Sequence, residues 1–457
     1  MRTKKIIKRI ILFLLLVILG YAVYYAWFAF PIISGYSAKN ACSCVFIQGR
    51  TKEDINKEEL GSLPLSIGEI AVDYKDSSVT GTVLGLAKRK AIFRTGFGCT
   101  LANEFSESAI RAQQFSLPAA ANPDSMLWPM GGQLPQTADT TIDQIKLDSA
   151  LGFVFNHSYN EKPVLTRAVV IVHKGNIIAE QYGRGYNQNS KFLGWSMAKS
   201  VTSALIGILV KEGKLNVSQP APVAQWRAAK DARNKITLEH LLQQTSGLNF
   251  VEDYASHSNA TNMLFNKGDM AGYVASLPVK DKPGSRFYYS SGNSNVLSGI
   301  IRTIVGQKDY HAFPYKALFH KIGMHHTLME PDASGTFVGS SYIYASARDY
   351  ARFGLLYLND GVWNGERILP EGWVKKTTTA PAANKLKNYG YQFWLNGFDD
   401  SNTTEKAYPG MPDDLFMADG YGGQRIYIIP SRQLVIVRMG LNKFDEHTFL
   451  KLVMAAL

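Results

Sequence analysis

The chain has 457 residues, 46% of them apolar and 19% charged, and a net charge of +12. That length exceeds one ordinary domain and suits a large catalytic domain with appendages, and the balance fits a globular protein with a real core. Five of the charges, Arg2, Lys4, Lys5, Lys8 and Arg9, fall in the first nine residues. The basic excess is therefore partly a local membrane signal and does not require a nucleic-acid surface.

Ile10 to Phe30 is nearly all apolar, roughly the 20 residues needed to cross a bilayer. The basic flank precedes it, so the N-terminus is expected in the cytoplasm and the bulk of the chain outside it, periplasmic or extracellular. A cleaved signal peptide would have a shorter apolar core ending at small residues. Phe30-Pro31-Ile32-Ile33 is a poor cleavage region, so an uncleaved single-pass anchor over residues 1–34 is expected. Three cysteines follow, Cys42, Cys44 and Cys99. Two positions apart on a strand, Cys42 and Cys44 point the same way and are poorly placed to pair with each other. Either could bridge Cys99 and leave one thiol over.

Residues 35–140 read as a small β-rich extension and a connector. Ile67–Asp73 and Thr80–Phe97 alternate like strands, with Asp76-Ser77-Ser78 as a turn between them. Pro118 to Pro135 is rich in proline and glycine. From residue 141 to 457 the pattern changes. Thr141 to Phe155 reads as a helix. Arg167 to Tyr182 reads as a hairpin around Lys174-Gly175-Asn176. Phe192-Leu193-Gly194-Trp195-Ser196-Met197-Ala198-Lys199-Ser200 then opens an apolar-periodic run, Val201, Leu205, Ile208 and Leu209, closed by Gly213. This predicts a helix from about Ser196 to Glu212. Positions i and i+3 of a helix share a face about 5–6 Å apart. Lys199 can therefore stand against the Ser196 hydroxyl. A serine is a poor nucleophile until a base takes its proton, and a lysine whose pKa is lowered by burial can be that base.

Two further stretches carry chemistry. Phe287-Tyr288-Tyr289-Ser290-Ser291-Gly292-Asn293 can place the Tyr289 phenol near a nucleophile, where it would shuttle a proton. Ala418-Asp419-Gly420-Tyr421-Gly422-Gly423-Gln424 leads into a strand, and its glycines let backbone approach a ligand closely. Arg425–Ile429 and Gln433–Val437 read as strands around Pro430-Ser431-Arg432, and Glu446–Leu457 as an amphipathic helix. Hairpins at both ends with helices between predict an α+β domain, one antiparallel sheet covered by helices. The nine histidines form no H-E-x-x-H and the cysteines no C-x-x-C, so neither metal nor organic cofactor is implied.

S-x-x-K, then Tyr-x-Ser, then a glycine-rich strand entry, in that order, resembles the penicillin-recognising serine hydrolases. The branch is that of class C β-lactamases, D-alanyl-D-alanine carboxypeptidases, related esterases and 6-aminohexanoate-oligomer hydrolases. Ile236 to Leu248, Ser346 to Gly354 and Tyr389 to Trp394 are similar to the signatures between that family's motifs, and the likeness covers roughly Asp143 to Leu457. It implies the β-lactamase/transpeptidase-like fold, with an all-helical subdomain beside the sheet. It also implies Ser196 as the acylated nucleophile, Lys199 as its base partner and Tyr289 as the motif tyrosine. Ser291 falls where the family has asparagine. Gly420 matches the glycine of the Lys/His-x-Gly strand motif, Tyr421 would give a second oxyanion N–H beside that of Ser196, and Trp394 would line the pocket.

One departure bears on the substrate. Ala418 stands where the family has a lysine or histidine that helps hold a substrate carboxylate, and Asp419 follows it. Arg425 is a nearby cation that could take over that task. The departure lowers β-lactamase and carboxypeptidase activity and raises cleavage of esters or linear amides. The expectation is a membrane-anchored serine hydrolase working through an acyl-enzyme on a small or cell-wall-derived ester or amide. A non-turnover penicillin-binding or sensing protein is the alternative of another class.

Overall fold

The N-terminal helix does not end with the apolar run at Phe30 but continues as one helix, α1 (Arg2–Phe46), with Pro31 inside it. Its first part is exposed all round and long and apolar enough to cross a membrane, with a mean hydropathy of 2.5. From Ile33 to Val45 every residue of the same helix but Tyr36 is buried. The structure is a computed structural model describing residues 2–119, 125–134, 142–227, 230, 232–399 and 402–457. These form two units. One is Met1–Arg94, Cys99–Ala112 and Val251–Gly268; the other is Thr95–Gly98, Gln113–Phe250 and Asp269–Leu457.

In the first unit α1 lies along a sheet ordered β1 (Gly68–Asp73), β2 (Ser78–Val83), β3 (Leu86–Arg94) and β4 (Gly98–Leu101). The alternating stretch from Thr80 to Phe97 contains a hairpin, turning at Leu84-Gly85 between β2 and β3. Strand β2 can lie flat on the helix because Gly81 has no side chain: a Cβ there would stand 2.2 Å from the Ser34 carbonyl oxygen. A disulfide joins Cys42 on α1 to Cys99 on β4 and leaves Cys44 as a buried thiol. The helix Asn259–Asn266 also belongs to this unit and packs Phe265 against Tyr36 of α1.

The second unit is built on a six-stranded sheet, antiparallel throughout. Its strands are β5 (Thr166–His173), β6 (Asn176–Tyr182), β7 (Trp394–Leu395), β8 (Phe416–Gly420), β9 (Gln424–Ile429) and β10 (Leu434–Gly440), in spatial order β7-β8-β9-β10-β5-β6. Helices α2 (Gln144–Asn156), α3 (Met197–Lys211), α4 (Ser291–Val305), α5 (Ala347–Leu358) and α6 (Glu446–Ala455) accompany it. Asp143 caps α2 by accepting from the Lys146 N–H at 3.2 Å; Thr141, the expected helix start, lies outside the described residues, as does part of the connector.

Strand alternation decides which helix covers which face. Val169, Ile171, Tyr427 and Ile436 pack with Leu147 and Leu151 of α2 and with Phe449 and Val453 of α6. Val435 and Ile426 point the other way and meet Gly354 of α5, where a Cβ would stand 2.5 Å from Val435. Both faces are thus covered, which is why every residue of β5 and β10 is buried. Each aliphatic side chain taken from water contributes about 1.5–3 kcal/mol before entropy is subtracted. The shorter helices Ala224–Arg227, Leu238–Leu242 and Met270–Ser276, with α4, make up a helical layer beside the sheet. The antiparallel sheet flanked by helices is the architecture the sequence pattern predicts.

Candidate functional site

Ser196 occupies the N-cap of α3, with φ −64° and ψ −7°. An N-cap serine ordinarily spends its hydroxyl on a backbone N–H of the first turn. Ser196 makes no such bond, and its Oγ lies 2.9 Å from Lys199 Nζ instead. Lys199 is 1% exposed. Its Nζ also donates to Ser291 Oγ at 3.0 Å and to the Ser340 carbonyl at 3.0 Å. Three acceptors match the three N–H donors of an ammonium. If the amine is neutral, the Ser196 contact reverses and the hydroxyl donates to Nζ, the polarity that general-base activation requires.

The turn that presents Ser196 is held under strain. Trp195 has φ +47°, a left-handed conformation costing a non-glycine residue roughly 1–2 kcal/mol. Packing fixes the turn on every side. Phe192 and Leu193 pair with Ala345 and Tyr344. The Tyr350 hydroxyl, fully buried, lies 3.1 Å from the Phe192 carbonyl and 3.2 Å from that of Ile343. Gly194 donates to Ile343 O at 2.9 Å, and a Cβ on Gly194 would stand 2.5 Å from Tyr350 Oη.

Tyr289 sits beside this cluster with its ring centroid 4.9 Å from Lys199 Nζ. Trp394 stacks on that ring at 5.4 Å, and Tyr389 meets it edge-on at 5.8 Å. Trp394 thus backs the phenol. Ser291 is fully buried with its hydroxyl on the lysine, so among the described contacts its partner is the amine. Gly420, the last residue of β8, abuts the nucleophile turn: a Cβ there would stand 2.1 Å from the Gly194 carbonyl oxygen. Tyr421 is 71% exposed and meets Trp195 edge-on at 5.9 Å. Gly420→Ala must therefore push β8 and the Ser196 turn apart. A displacement of about 1 Å at a reacting centre lowers rates on the order of 100-fold, so steady-state kinetics of this variant are expected to show kcat reduced by about that factor; a change within twofold would mean that the close approach is irrelevant to turnover.

The motif cation is replaced in an informative way. Ala418 is fully buried. Arg425 does not take its place. The guanidinium donates through Nη1 to Asp419 Oδ1 at 2.5 Å and through Nε and Nη2 to the two Glu446 oxygens at 2.9 and 2.6 Å, and Nη1 also lies 3.2 and 3.0 Å from the Gly420 and Gln424 carbonyls. Desolvation pushes the Asp419 carboxyl up to about 6, against the pull of Arg425. The cation beside the strand motif is thus neutralised within the protein.

Two residues that sequence reading passed over hold the site together. Gln244 and Gln392 are both buried and both left-handed, at φ +60° and +59°. Gln244 Oε1 accepts from the Ser290 N–H at 3.2 Å and from Asn293 Nδ2 at 2.8 Å. Gln392 Oε1 accepts from Gln244 Nε2 and Ser294 Oγ, its Nε2 donates to the Leu241 and Leu242 carbonyls, and its own carbonyl accepts from Ser200 Oγ at 2.7 Å. One amide network therefore ties α3, the start of α4 and the Tyr389–Trp394 segment into fixed register. Both glutamines lie inside stretches whose family likeness was legible, although nothing in the stretches announced this role. His240 closes the helix Leu238–Leu242 in a capping box, with Nδ1 accepting from the Thr237 N–H at 3.1 Å.

The beta-lactamase family model matches residues 159–449. The chain belongs to the beta-lactamase family. It is similar to a 6-aminohexanoate-dimer hydrolase of Paenarthrobacter ureafaciens, with 22% identity over 60% of this chain and 72% of that one. It is also similar to esterase EstB of Burkholderia gladioli, with 25% identity over 36% of this chain and 48% of that one. Among solved structures it shares its fold with EstCE1, a hydrolase with promiscuous acyltransferase activity, at a TM-score of 0.56 and 15% identity, covering 69% of this chain and 98% of that one. As a member of this family the chain is a serine hydrolase of the β-lactamase-related type.

Proposed function

We propose that the protein is a membrane-anchored serine hydrolase that cleaves esters or linear amides through an acyl-enzyme on Ser196. The observation that carries the reading is the 2.9 Å contact between a cap serine that caps nothing and a buried lysine. Lys199 accepts the Ser196 proton, directly or through Tyr289, as Oγ attacks the carbonyl carbon. The oxyanion so formed takes N–H bonds from Ser196 and Tyr421, each such donor contributing about 3–4 kcal/mol in comparable acyl transfers. The carbonyl re-forms, the bond to the alkoxide or amide leaving group breaks, and the proton passes from the Lys199–Tyr289 pair to that group. Water then loses a proton to the same pair and attacks the acyl carbon; the bond to Ser196 Oγ breaks, the pair returns the proton to Oγ, and the acid leaves. Ser291 holds the lysine, Gly420 lets β8 close on the Ser196 turn so that the Tyr421 N–H can reach the oxyanion, and Trp394 lines the pocket behind the Tyr289 phenol.

Three features support the remaining parts of the proposal. The basic flank Arg2 to Arg9 before the apolar run supports an N-terminus in the cytoplasm with the hydrolase domain, 141–457, outside it. The Cys42–Cys99 bond, within the extension 35–140, fits an oxidising compartment. The commitment of Arg425 to Asp419 and Glu446 leaves a substrate carboxylate without the cation that penicillins and terminal D-alanine use in the family. Leaving such a carboxylate unpaired costs several kcal/mol, at least two tenfold steps in affinity. The test is a substrate panel on the detergent-solubilised full chain: p-nitrophenyl esters, the linear dimer of 6-aminohexanoate, a chromogenic cephalosporin and a D-alanyl-D-alanine peptide. The ester or linear amide is expected to show kcat/KM about 100-fold above the last two. Preference for the cephalosporin or the D-alanyl peptide would restore the β-lactamase or carboxypeptidase reading, and a stable acyl adduct without turnover would favour a sensor.

A further inference from the structure

The first unit gathers several exposed apolar side chains where α1 leaves its exposed stretch, while Tyr74 and Phe105 are exposed elsewhere on it. From Ile10 to Trp27 the helix rises about 26 Å at 1.5 Å per residue, close to a bilayer's hydrocarbon thickness. Tyr21, Tyr24, Tyr25 and Trp27, each more than half exposed, mark its far end, as an aromatic belt does at a membrane–water boundary.

Contacts along α1 fix which end of the neighbouring sheet faces that belt. A Cβ on Gly68 would stand 3.3 Å from Ile33 Cγ2 and 2.7 Å from Ser37 Oγ, and one on Gly81 would meet Ser34. At the other end Phe46 stacks on Phe93 at 5.3 Å and meets Tyr74 at 6.0 Å. The strands therefore run alongside the helix. Their Gly68/Val83 end, one pair in the register, lies toward the belt. The β2–β3 tip extends past that end with Leu84 70% and Leu86 61% exposed, and the segment entering β1 adds Leu63 at 78% and Ile67 at 37%. His257 rests on the Phe28 ring at 4.8 Å, which brings the loop bearing exposed Val251 and Tyr254 to the same level.

The tip turn adds an independent observation. Leu84 and Gly85 both have positive φ, +51° and +71°. Such a two-residue hairpin turn favours asparagine or glycine at its first position. A leucine there is strained and, at 70% exposure, buries little within the protein. Water repays neither.

We infer that this collar of Leu63, Ile67, Leu84, Leu86, Val251 and Tyr254 inserts into the headgroup–acyl boundary of the bilayer that α1 crosses. The inference rests on the reading of α1 as an anchor. The occupant is lipid rather than a partner protein because the patch lies at the level where the membrane-crossing helix leaves its exposed stretch. No flexible linker intervenes, since α1 is one helix from Arg2 to Phe46. The collar makes the anchor a rigid mount, with the first unit seated on the membrane surface.

The test uses the full chain in phosphatidylcholine vesicles, with an environment-sensitive fluorophore on single introduced cysteines; Cys44 is buried and does not compete for label. Leu84→Cys and Leu63→Cys report the collar, Leu15→Cys the anchor, and Lys75→Cys the opposite end of the sheet. Lipids carrying a nitroxide near the headgroup are expected to quench the Leu84 and Leu63 probes at least twofold more than the Lys75 probe. If acyl-chain nitroxides quench Leu15 while Leu84 and Leu63 match Lys75, the collar is refuted and the anchor stands. If Leu15 is not quenched either, the anchor reading falls and the collar with it.

Discussion

Ser196→Ala is expected to lower kcat/KM for ester hydrolysis by roughly 10⁴–10⁶-fold, the range seen when a nucleophile acting in concert with its base is removed. The fold should be unaffected. The hydroxyl caps no backbone N–H, and alanine fits the first turn of a helix. Loss of activity at an unchanged melting temperature therefore separates chemistry from structure. The comparison is made by steady-state kinetics and a thermal melt on the same preparation. Full activity in this variant would remove Ser196 from the reaction.

Arg425→Leu is expected to destabilise the second unit by about 3–5 kcal/mol, the penalty of leaving buried charges without their partner. Arg425 is 8% exposed and lies between Asp419 and Glu446. Glu446 also accepts from the Tyr408 hydroxyl at 2.7 Å and the Tyr427 hydroxyl at 2.5 Å, but two neutral donors do not replace a cation. The loss should depend on pH with a definite sign. Without the guanidinium the Asp419 carboxyl, already raised by desolvation, rises further, and that of Glu446, held down by Arg425, rises above its unfolded value. The variant then binds more protons folded than unfolded, and its stability falls as pH rises through that window. A denaturant titration is expected to show the deficit growing from about pH 4 to pH 7. A deficit that shrinks over that range would contradict the ion-pair account. Activity should fall as well, because the same guanidinium holds the Gly420 carbonyl at 3.2 Å.

Local signals predicted local structure well. The spacing of Val201, Leu205, Ile208 and Leu209 announced α3, and the i, i+3 rule alone brought Lys199 to Ser196. The hairpin around Lys174-Gly175-Asn176 and the strands around Pro430-Ser431-Arg432 were equally legible, because turn chemistry is written in adjacent residues. The pairing of β10 with β5, which closes the sheet across 272 positions between Thr166 and Arg438, carried no local mark. Nor did the Ser340 carbonyl and Ser291 hydroxyl that complete the lysine's shell, which come from 141 and 92 positions away.

The end of α1 was hidden for a different reason. Beyond Phe30 the sequence stops being uniformly apolar and offers Pro31, Ser34, Ser37 and Ser43. Proline lacks an N–H and ordinarily interrupts a helix. Here it stands where the helix passes from its exposed stretch to its packed one, and the serines that dilute the hydropathy are fully buried against the first unit. The segment Val251–Gly268 likewise joins that unit through Phe265 and His257, contacts that no composition change reveals.

The measurement closest to the heart of the matter is the mass of the protein caught in mid-turnover. An activated ester is mixed with the full chain, quenched in acid within seconds, digested and sequenced by mass spectrometry. One acyl group is expected on the peptide carrying Ser196, formed about 10²–10⁴-fold more slowly when Lys199 is replaced by alanine. An acyl group bound elsewhere, or hydrolysis that proceeds while Ser196 stays unmodified at every quench time, would contradict it.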